Sequence, residues 1–262
     1  RRFALNDVRV ISVKEANNTM VLQKLGEVAA YYLDNLLNDN MILGIFMGGI
    51  QCIILSKRSR QVRISQSQSY RSWGAANVRT PERDSLDLSK ELAYAYGGTY
   101  HYIYAPLFVN SEEVGDSLEQ EPNIKGCLEL ARNADIILTS VGSIVYKSWK
   151  SYLSTRDLYN LEKKGAIGHI GGHFYDMEGN EVITPFVNKM IGLGIEDIKN
   201  TENVICVAGL EMKAEAILGA VRGGYINTLI TDEEAARQCL HYVNNIYIKM
   251  RVSKVLIKKT VK

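Results

Sequence analysis

The chain has 262 residues, of which 46% are hydrophobic and 23% are charged, and its formal net charge is only +2. These values are typical of a globular domain and exclude a disordered tail, a collagen-like rod and a coiled coil. No apolar run is long enough to span a bilayer, and so small a net charge does not by itself indicate a nucleic-acid-binding protein.

The first half of the chain alternates strand and helix patterns. Apolar residues recur at helical spacing over residues 19–37, and the run MILGIF at 41–46 is typical of a buried parallel strand that enters a glycine-rich turn. The predicted elements are strands at 8–13, at 41–46, from 62 and at 100–104, and helices at 19–37 and 84–96.

The second half repeats this alternation. Ser154 predicts a helix start, and Gly223-Gly224 predicts a helix end. The predicted elements are helices at 124–132, at 154–163, at 211–222 and from 232, strands at 134–139, 203–208 and 226–230, and a hairpin that joins 174–175 to 182–183.

Strands that alternate with helices predict an α/β fold, a Rossmann-like parallel sheet with helices on both faces. No Pro- or Ser-rich linker divides the chain, so we expect one domain over residues 1–240. Residues 241–262 differ, because they contain six basic and no acidic residues with apolar residues interleaved. This composition predicts a basic C-terminal extension, either a solvated segment or an arm that binds phosphate or a partner.

Metal and catalytic motifs are absent from the sequence. The four cysteines are far apart, and Gly171-Gly172 between His169 and His173 argues against a helical pair of metal ligands. There is no Gly-x-Ser-x-Gly or Walker motif, and no Gly-x-Gly-x-x-Gly follows the first strand. We therefore expect no metal and no cofactor, and we assign no catalytic residue.

Turns at strand ends are the candidate ligand site. In open parallel sheets, ligands bind outside the carboxyl ends of the strands, where backbone N–H groups favour an anion. Lys213, just inside the helix after the 203–208 strand, would add a full positive charge. The turn residues singled out are Gly48, Gly49, Ser67, Gln68, Gly142 and Ser143.

Several segments resemble the SorC family of bacterial transcriptional regulators. Residues 104–109 (YAPLFV), 128–141, 164–168 and 174–176 match blocks of its C-terminal domain in order and spacing. The most specific match runs from residue 207 to 217 and continues from 222 to 233.

The resemblance implies an effector-binding domain related in fold to ribose-5-phosphate isomerase and glucosamine-6-phosphate deaminase. Such a domain binds a phosphorylated sugar or similar metabolite and controls the binding of operator DNA in a cytoplasmic homodimer or homotetramer, with no catalysis and no membrane. The DNA-binding helix-turn-helix would precede this chain, which opens Arg1-Arg2-Phe3.

The same resemblance assigns roles to individual residues. Lys213 matches the lysine that holds the phosphate or a ligand oxygen, and Asp176 matches an acidic contact for sugar hydroxyls. By residue chemistry alone, however, Asp176 fits the start of a turn equally well. Gly142 and Ser143 match a glycine turn, and Gly48 matches the first phosphate-side turn.

This sequence also departs from the family pattern. Leu210 replaces a common Gly, His169 replaces a common Asp, and Ser69-Tyr70 replaces a Gly-Gly turn. These departures leave two alternatives for the phosphate, the glycine turns or Ser67, Gln68 and Arg71. They also leave two other functions open: a sugar-phosphate isomerase or deaminase on the same fold, and an oligomerisation domain without a ligand.

Overall fold

The computed structural model describes residues 5–13, 17–46, 68–71, 85–144, 153–185 and 189–243. Within these ranges the strands are β1 (Asp7–Ile11), β2 (Ile42–Phe46), β3 (Gln68–Arg71), β4 (Thr99–His101), β5 (Ile136–Thr139), β6 (Gly142–Ser143), β7 (Gly168–Ile170), β8 (His173–Tyr175), β9 (Asn203–Val207) and β10 (Thr228–Asp232). The helices are α1 (Asn18–Leu36), α2 (Ser85–Tyr96), α3 (Glu112–Glu119), α4 (Pro122–Arg132), α5 (Thr155–Lys163), α6 (Ile195–Asn200), α7 (Ala214–Arg222) and α8 at 233–243.

A parallel sheet organises the domain. In the described ranges it has seven strands in the order β1-β10-β9-β5-β2-β3-β4. From β2 the chain moves through β3 and β4 towards one edge, and from β5 it moves through β9 and β10 towards the other. The strand order therefore reverses between β2 and β5, which makes their carboxyl ends the expected ligand position.

Alternate residues of the central strands enter two separate cores. Ile136, Leu138 and Ile205 pack with Leu25 and Leu33 of α1 and with α2 on one face. Ile137, Val204 and Cys206 pack with α4, α6 and α7 on the other face. This alternation follows from the two-residue repeat of a strand, and it places helices on both faces, as predicted.

Helix starts follow local capping chemistry. The Asn17 side chain accepts the Met20 N–H at 3.0 Å, and Ser154 with Asp157 forms a capping box at α5. Two helices, α3 and α6, were not predicted. The signal for α3 was present, because Ser111 caps the helix and two glutamates occupy its first turn.

The predicted fold class is confirmed, whereas several boundaries differ. β4 ends at His101, three residues earlier than predicted, and β3 begins at Gln68, while the predicted strand start at 62 lies outside the described residues. The predicted hairpin is present, because Tyr175 bridges Glu181 and the Val182 N–H donates to the Phe174 carbonyl oxygen at 2.7 Å. In addition, β6, β7 and β8 form a small antiparallel sheet that was not predicted. The helix from 233 continues to 243, so the expected boundary at 240 falls within a helix. None of the described helices combines the length and apolar character that crossing a bilayer requires.

Candidate functional site

The carboxyl ends of β2 and β5 lie side by side where the strand order reverses. Phe46, the last residue of β2, pairs with Thr139, the last residue of β5. Three predicted site residues, Gly48, Gly49 and Ser67, lie outside the described residues. Their contact with a ligand stays a prediction.

Lys213 reaches the end of β5 from a neighbouring strand. After β9 the chain makes a 3-10 turn over Glu211–Lys213 and enters α7. Lys213 Nζ lies 3.3 Å from Oγ of Ser140, the residue that follows β5. Because Lys213 also precedes the N-terminus of α7, its charge adds to the positive end of the helix dipole, and this combination favours an anion.

The short strand β6 brings Gly142 and Ser143 to the same place. It packs against the 3-10 turn that carries Lys213 and pairs with β7, so that Gly142 faces His169 and Ser143 faces Gly168. A Cβ atom at Gly142 would lie 2.0 Å from His169 Nε2, so the close approach of the imidazole requires glycine there. The structure thus gathers Gly142, Ser143 and Lys213 at one end of the sheet.

His169 also belongs to this cluster, although it was not among the residues predicted to contact the ligand. Its Nε2 is buried, and its ring lies 5.5 Å from the Phe174 ring. Burial, and then the positive charge of Lys213, lower the pKa of His169 from 6.5 to about 3. The imidazole is therefore neutral at pH 7 beside a cation. The signal was in the sequence, where His169 stands in place of an acidic residue of the family.

Asp176 lies elsewhere. Its two carboxylate oxygens accept the backbone N–H and the side-chain amide of Asn180, at 2.8 and 3.0 Å. Its carbonyl oxygen lies against Gly219, six residues beyond Lys213 and therefore about 9 Å further along α7. The structure does not bring Asp176 and Lys213 together, and the hydrogen bonds match the interpretation of Asp176 as the start of a turn.

Gln68 is also displaced from its predicted position. It was placed in a turn beyond the carboxyl end of a strand, but it opens β3 and pairs with Ile42 and Thr99, the first residues of β2 and β4. In a parallel sheet these residues lie at the amino edge, opposite the end where Lys213 lies. The strand predicted from residue 62 lies outside the described residues, whereas Gln68 itself belongs to β3.

His173 makes hydrogen bonds that connect two parts of the fold. Its Nδ1 lies 2.9 Å from Glu181 Oε1, and its Nε2 lies 2.9 Å from the Leu193 carbonyl oxygen. The ring therefore joins β8 to the segment before α6. Within the described ranges no group of three or more His, Cys, Asp or Glu side chains could hold a metal ion.

Comparisons with known proteins agree with this architecture. Residues 1–241 match the family model described as "Putative sugar-binding domain". The transcriptional regulator LsrR of Escherichia coli K12 is 30% identical over 247 residues, which cover 92% of this chain and 74% of that protein.

Solved structures show the same fold. A transcriptional regulator from Streptococcus pneumoniae TIGR4 superposes with a TM-score of 0.84 at 23% identity, covering 93% of this chain and 94% of that one. The full-length sorbitol operon regulator SorC from Klebsiella pneumoniae gives a TM-score of 0.85 at 23% identity, covering 90% and 77%.

Proposed function

Because this chain belongs to the sugar-binding domain family found in transcriptional regulators, we propose that it senses an anionic sugar metabolite at the carboxyl edge of its sheet. The ligand is a phosphorylated sugar or a compound of the same charge and size. Its binding changes the occupancy of operator DNA by a regulator that acts as a dimer or tetramer. The same membership favours regulation over catalysis.

The observation that carries the proposal is the place of Lys213. Its Nζ lies 3.3 Å from Ser140 Oγ, directly past β5 and at the point where the strand order reverses. A lysine ammonium beside a hydroxyl and a helix N-terminus provides both charge and hydrogen-bond donors for a phosphate.

The neutral imidazole of His169 is a second observation that supports an anionic sugar as the ligand. His169 stands where the family often has an acidic residue, and its lowered pKa keeps it neutral at pH 7. Lys213 therefore faces neither a carboxylate nor a second full cation from that position. A neutral imidazole can still exchange hydrogen bonds with sugar hydroxyls, because one ring nitrogen donates and the other accepts.

A sensor also needs two states with different affinities for the ligand. Lys213 belongs to the 3-10 turn that leads into α7, and Ser140 belongs to the turn between β5 and β6, so a ligand held by both would tie these elements together. The glycine turns after β2 supply further N–H groups in this proposal, and Ser67 and Arg71 remain the alternative phosphate contacts.

Calorimetric titration with a panel of phosphorylated and unphosphorylated sugars tests the proposal. We expect a phosphorylated member to bind and the Lys213→Met variant to lose at least about tenfold in affinity for it. The matched control is Lys125→Met on the exposed face of α4, which should bind as the parent does. Full affinity in the Lys213 variant would overturn the site.

Two outcomes would favour the other functions. Turnover of ribose-5-phosphate or glucosamine-6-phosphate would indicate an isomerase or a deaminase. The absence of any thermal shift with the whole panel at saturating concentration would indicate a domain without a ligand, because a bound ligand stabilises the native state by mass action.

A further inference from the structure

A cavity lies beside the turn that carries Lys213, next to Leu210, Glu211 and Met212. Its volume is about 560 Å³, it is open to solvent, and it is bordered by the end of β1, the start of α1, the 3-10 turn and α8. Five carboxylates line it: Glu211, Glu215, Asp232, Glu233 and Glu234. Among its described lining residues there is no Lys, Arg or His, and the one cation that the structure pairs with these carboxylates is Arg237, on Glu233.

Two of the five carboxylates are engaged within the fold. Asp232 accepts the backbone N–H groups of Leu210, Glu234 and Ala235, and Glu233 binds Ser12 and Arg237. Glu211 and Glu234 are exposed at the cavity, and Glu215 is half-buried there. A cationic group that enters the cavity therefore meets carboxylates that the fold itself does not need.

The cavity also has an apolar side. Ile11, Val13 and Val21 line it together with the carboxylates. A small inorganic cation would leave this apolar surface exposed to water. A segment that alternates basic and apolar side chains would cover both kinds of surface.

The same chain contains such a segment a few positions after residue 243, the last residue that the structure describes. Residues 249–262 contain six basic residues, no acidic residue, and apolar residues at 250, 252, 255–257 and 261. Gln238 and Tyr242 of α8 themselves line the cavity, so the last described residues lie at its wall. The 19 residues after position 243 extend up to about 60 Å, while the return along α8 to Glu234 is about 14 Å.

We propose that the acidic cavity binds the basic segment 249–262 of the same chain. Lysine side chains of the segment pair with Glu211 and Glu234, and its apolar residues cover Ile11 and Val21. Because the segment is tethered to the cavity wall, its effective concentration is high and no second molecule is needed. The proposal does not depend on the effector site, since none of its contacts involves Lys213.

Limited trypsin digestion of the full chain, followed by mass spectrometry, tests this docking. Cleavage within 249–262 should be slow in the parent protein and about fivefold faster or more in Glu211→Lys/Glu234→Lys, because proteolysis follows the undocked population. Salt at 0.5 M should have the same effect on the parent, since it screens exposed charge pairs. The matched control, Glu129→Lys/Glu178→Lys, changes the net charge equally at exposed positions away from the cavity and should not accelerate cleavage.

If the cavity variant is less stable than the parent, faster cleavage alone would be ambiguous. Reversing the charges of the segment in the same variant then tests whether docking depends on opposite charges. Adding Lys254→Glu, Lys258→Glu and Lys259→Glu to that variant should restore slow hydrogen exchange in residues 250–262. Equal cleavage in the parent, the cavity variant and the control would overturn the proposal. Protection that rises with protein concentration would overturn docking within one chain in favour of a second copy.

Discussion

The turn between β9 and α7 separates two regions of opposite charge. On one side Lys213 approaches Ser140 and the neutral His169, and on the other side Glu211 and Asp232 line an acidic cavity. Glu211 and Lys213 are only two positions apart in the sequence. The net charge of +2 therefore says little about either region, because recognition depends on which face of a turn each side chain occupies.

The two regions are also held differently. The acidic side is fixed by one buried carboxylate that binds three backbone N–H groups. The cationic side is fixed by close packing of an imidazole on a glycine. Substitutions of Asp232 remove hydrogen bonds, whereas substitutions of Gly142 or His169 change packing. Comparing their effects on stability measures the two contributions separately.

The largest effect is expected from Asp232→Ala. This change leaves the N–H groups of Leu210, Glu234 and Ala235 without their acceptor, and we expect a loss of about 3 kcal/mol in the free energy of unfolding. Urea unfolding measures it. Asp232→Asn keeps one acceptor oxygen and should lose less, whereas a loss below about 1 kcal/mol in the alanine variant would show that the turn is held by other contacts.

Acidification should lower the free energy of unfolding by nearly as much, through His169 on the cationic side. Burial and Lys213 lower the pKa of His169 from 6.5 to about 3. Between these two pH values the imidazole is therefore protonated in the unfolded chain and neutral in the folded chain. This contribution to stability is complete above pH 6.5 and is lost as the pH falls towards 3. Between pH 7 and 5 the parent should lose up to about 2 kcal/mol more than His169→Gln in the free energy of unfolding.

Denaturant unfolding of both proteins across this range measures the difference. The carboxylates are the same in both proteins, so their contribution to the pH dependence cancels in the difference. Parallel curves for the parent and His169→Gln would mean that the imidazole is accessible to solvent and that its neutral state does not shape the site.

The packing of His169 on Gly142 is tested by adding one methyl group. Gly142→Ala places a Cβ within 2.0 Å of Nε2, and we expect a loss of about 2 kcal/mol by overpacking. In the His169→Ala background the same change should cost far less. A double-mutant cycle with additive effects would contradict the contact.

The smallest effect is expected at the dividing turn itself. Leu210 has φ of 75° and ψ of 137°, a conformation that glycine adopts without the clash of a Cβ atom. Leu210→Gly should therefore raise the free energy of unfolding by about 0.5–1 kcal/mol, the relief of strain less the added freedom of the unfolded chain. Thermal unfolding should show a rise of about 2 °C. A fall in stability would mean that the leucine side chain contributes packing that exceeds the strain.

Much of the fold could be predicted because it follows from local periodicity. The buried run of β2 and the apolar spacing of α1 each identify an element within a short window of sequence. The helix α6 was missed because it has only six residues and too few turns to show a period. Gln68 was placed after a strand and not within one, because β-branched residues indicate strand propensity but do not fix where a strand ends.

The sequence by itself determined the alternation of strands and helices, the two buried faces of the sheet and the family to which the chain belongs. It also predicted Lys213 and the glycine turn at Gly142 as candidate ligand contacts. Only the tertiary structure decided that His169, and not Asp176, accompanies Lys213. The two positions are 44 and 37 residues away from Lys213, and no local pattern distinguishes them. The pairing of β7 with β6 carries His169 to the sheet end, while the turn after β8 carries Asp176 along α7, because side-chain contacts at such separations are set by how elements pack.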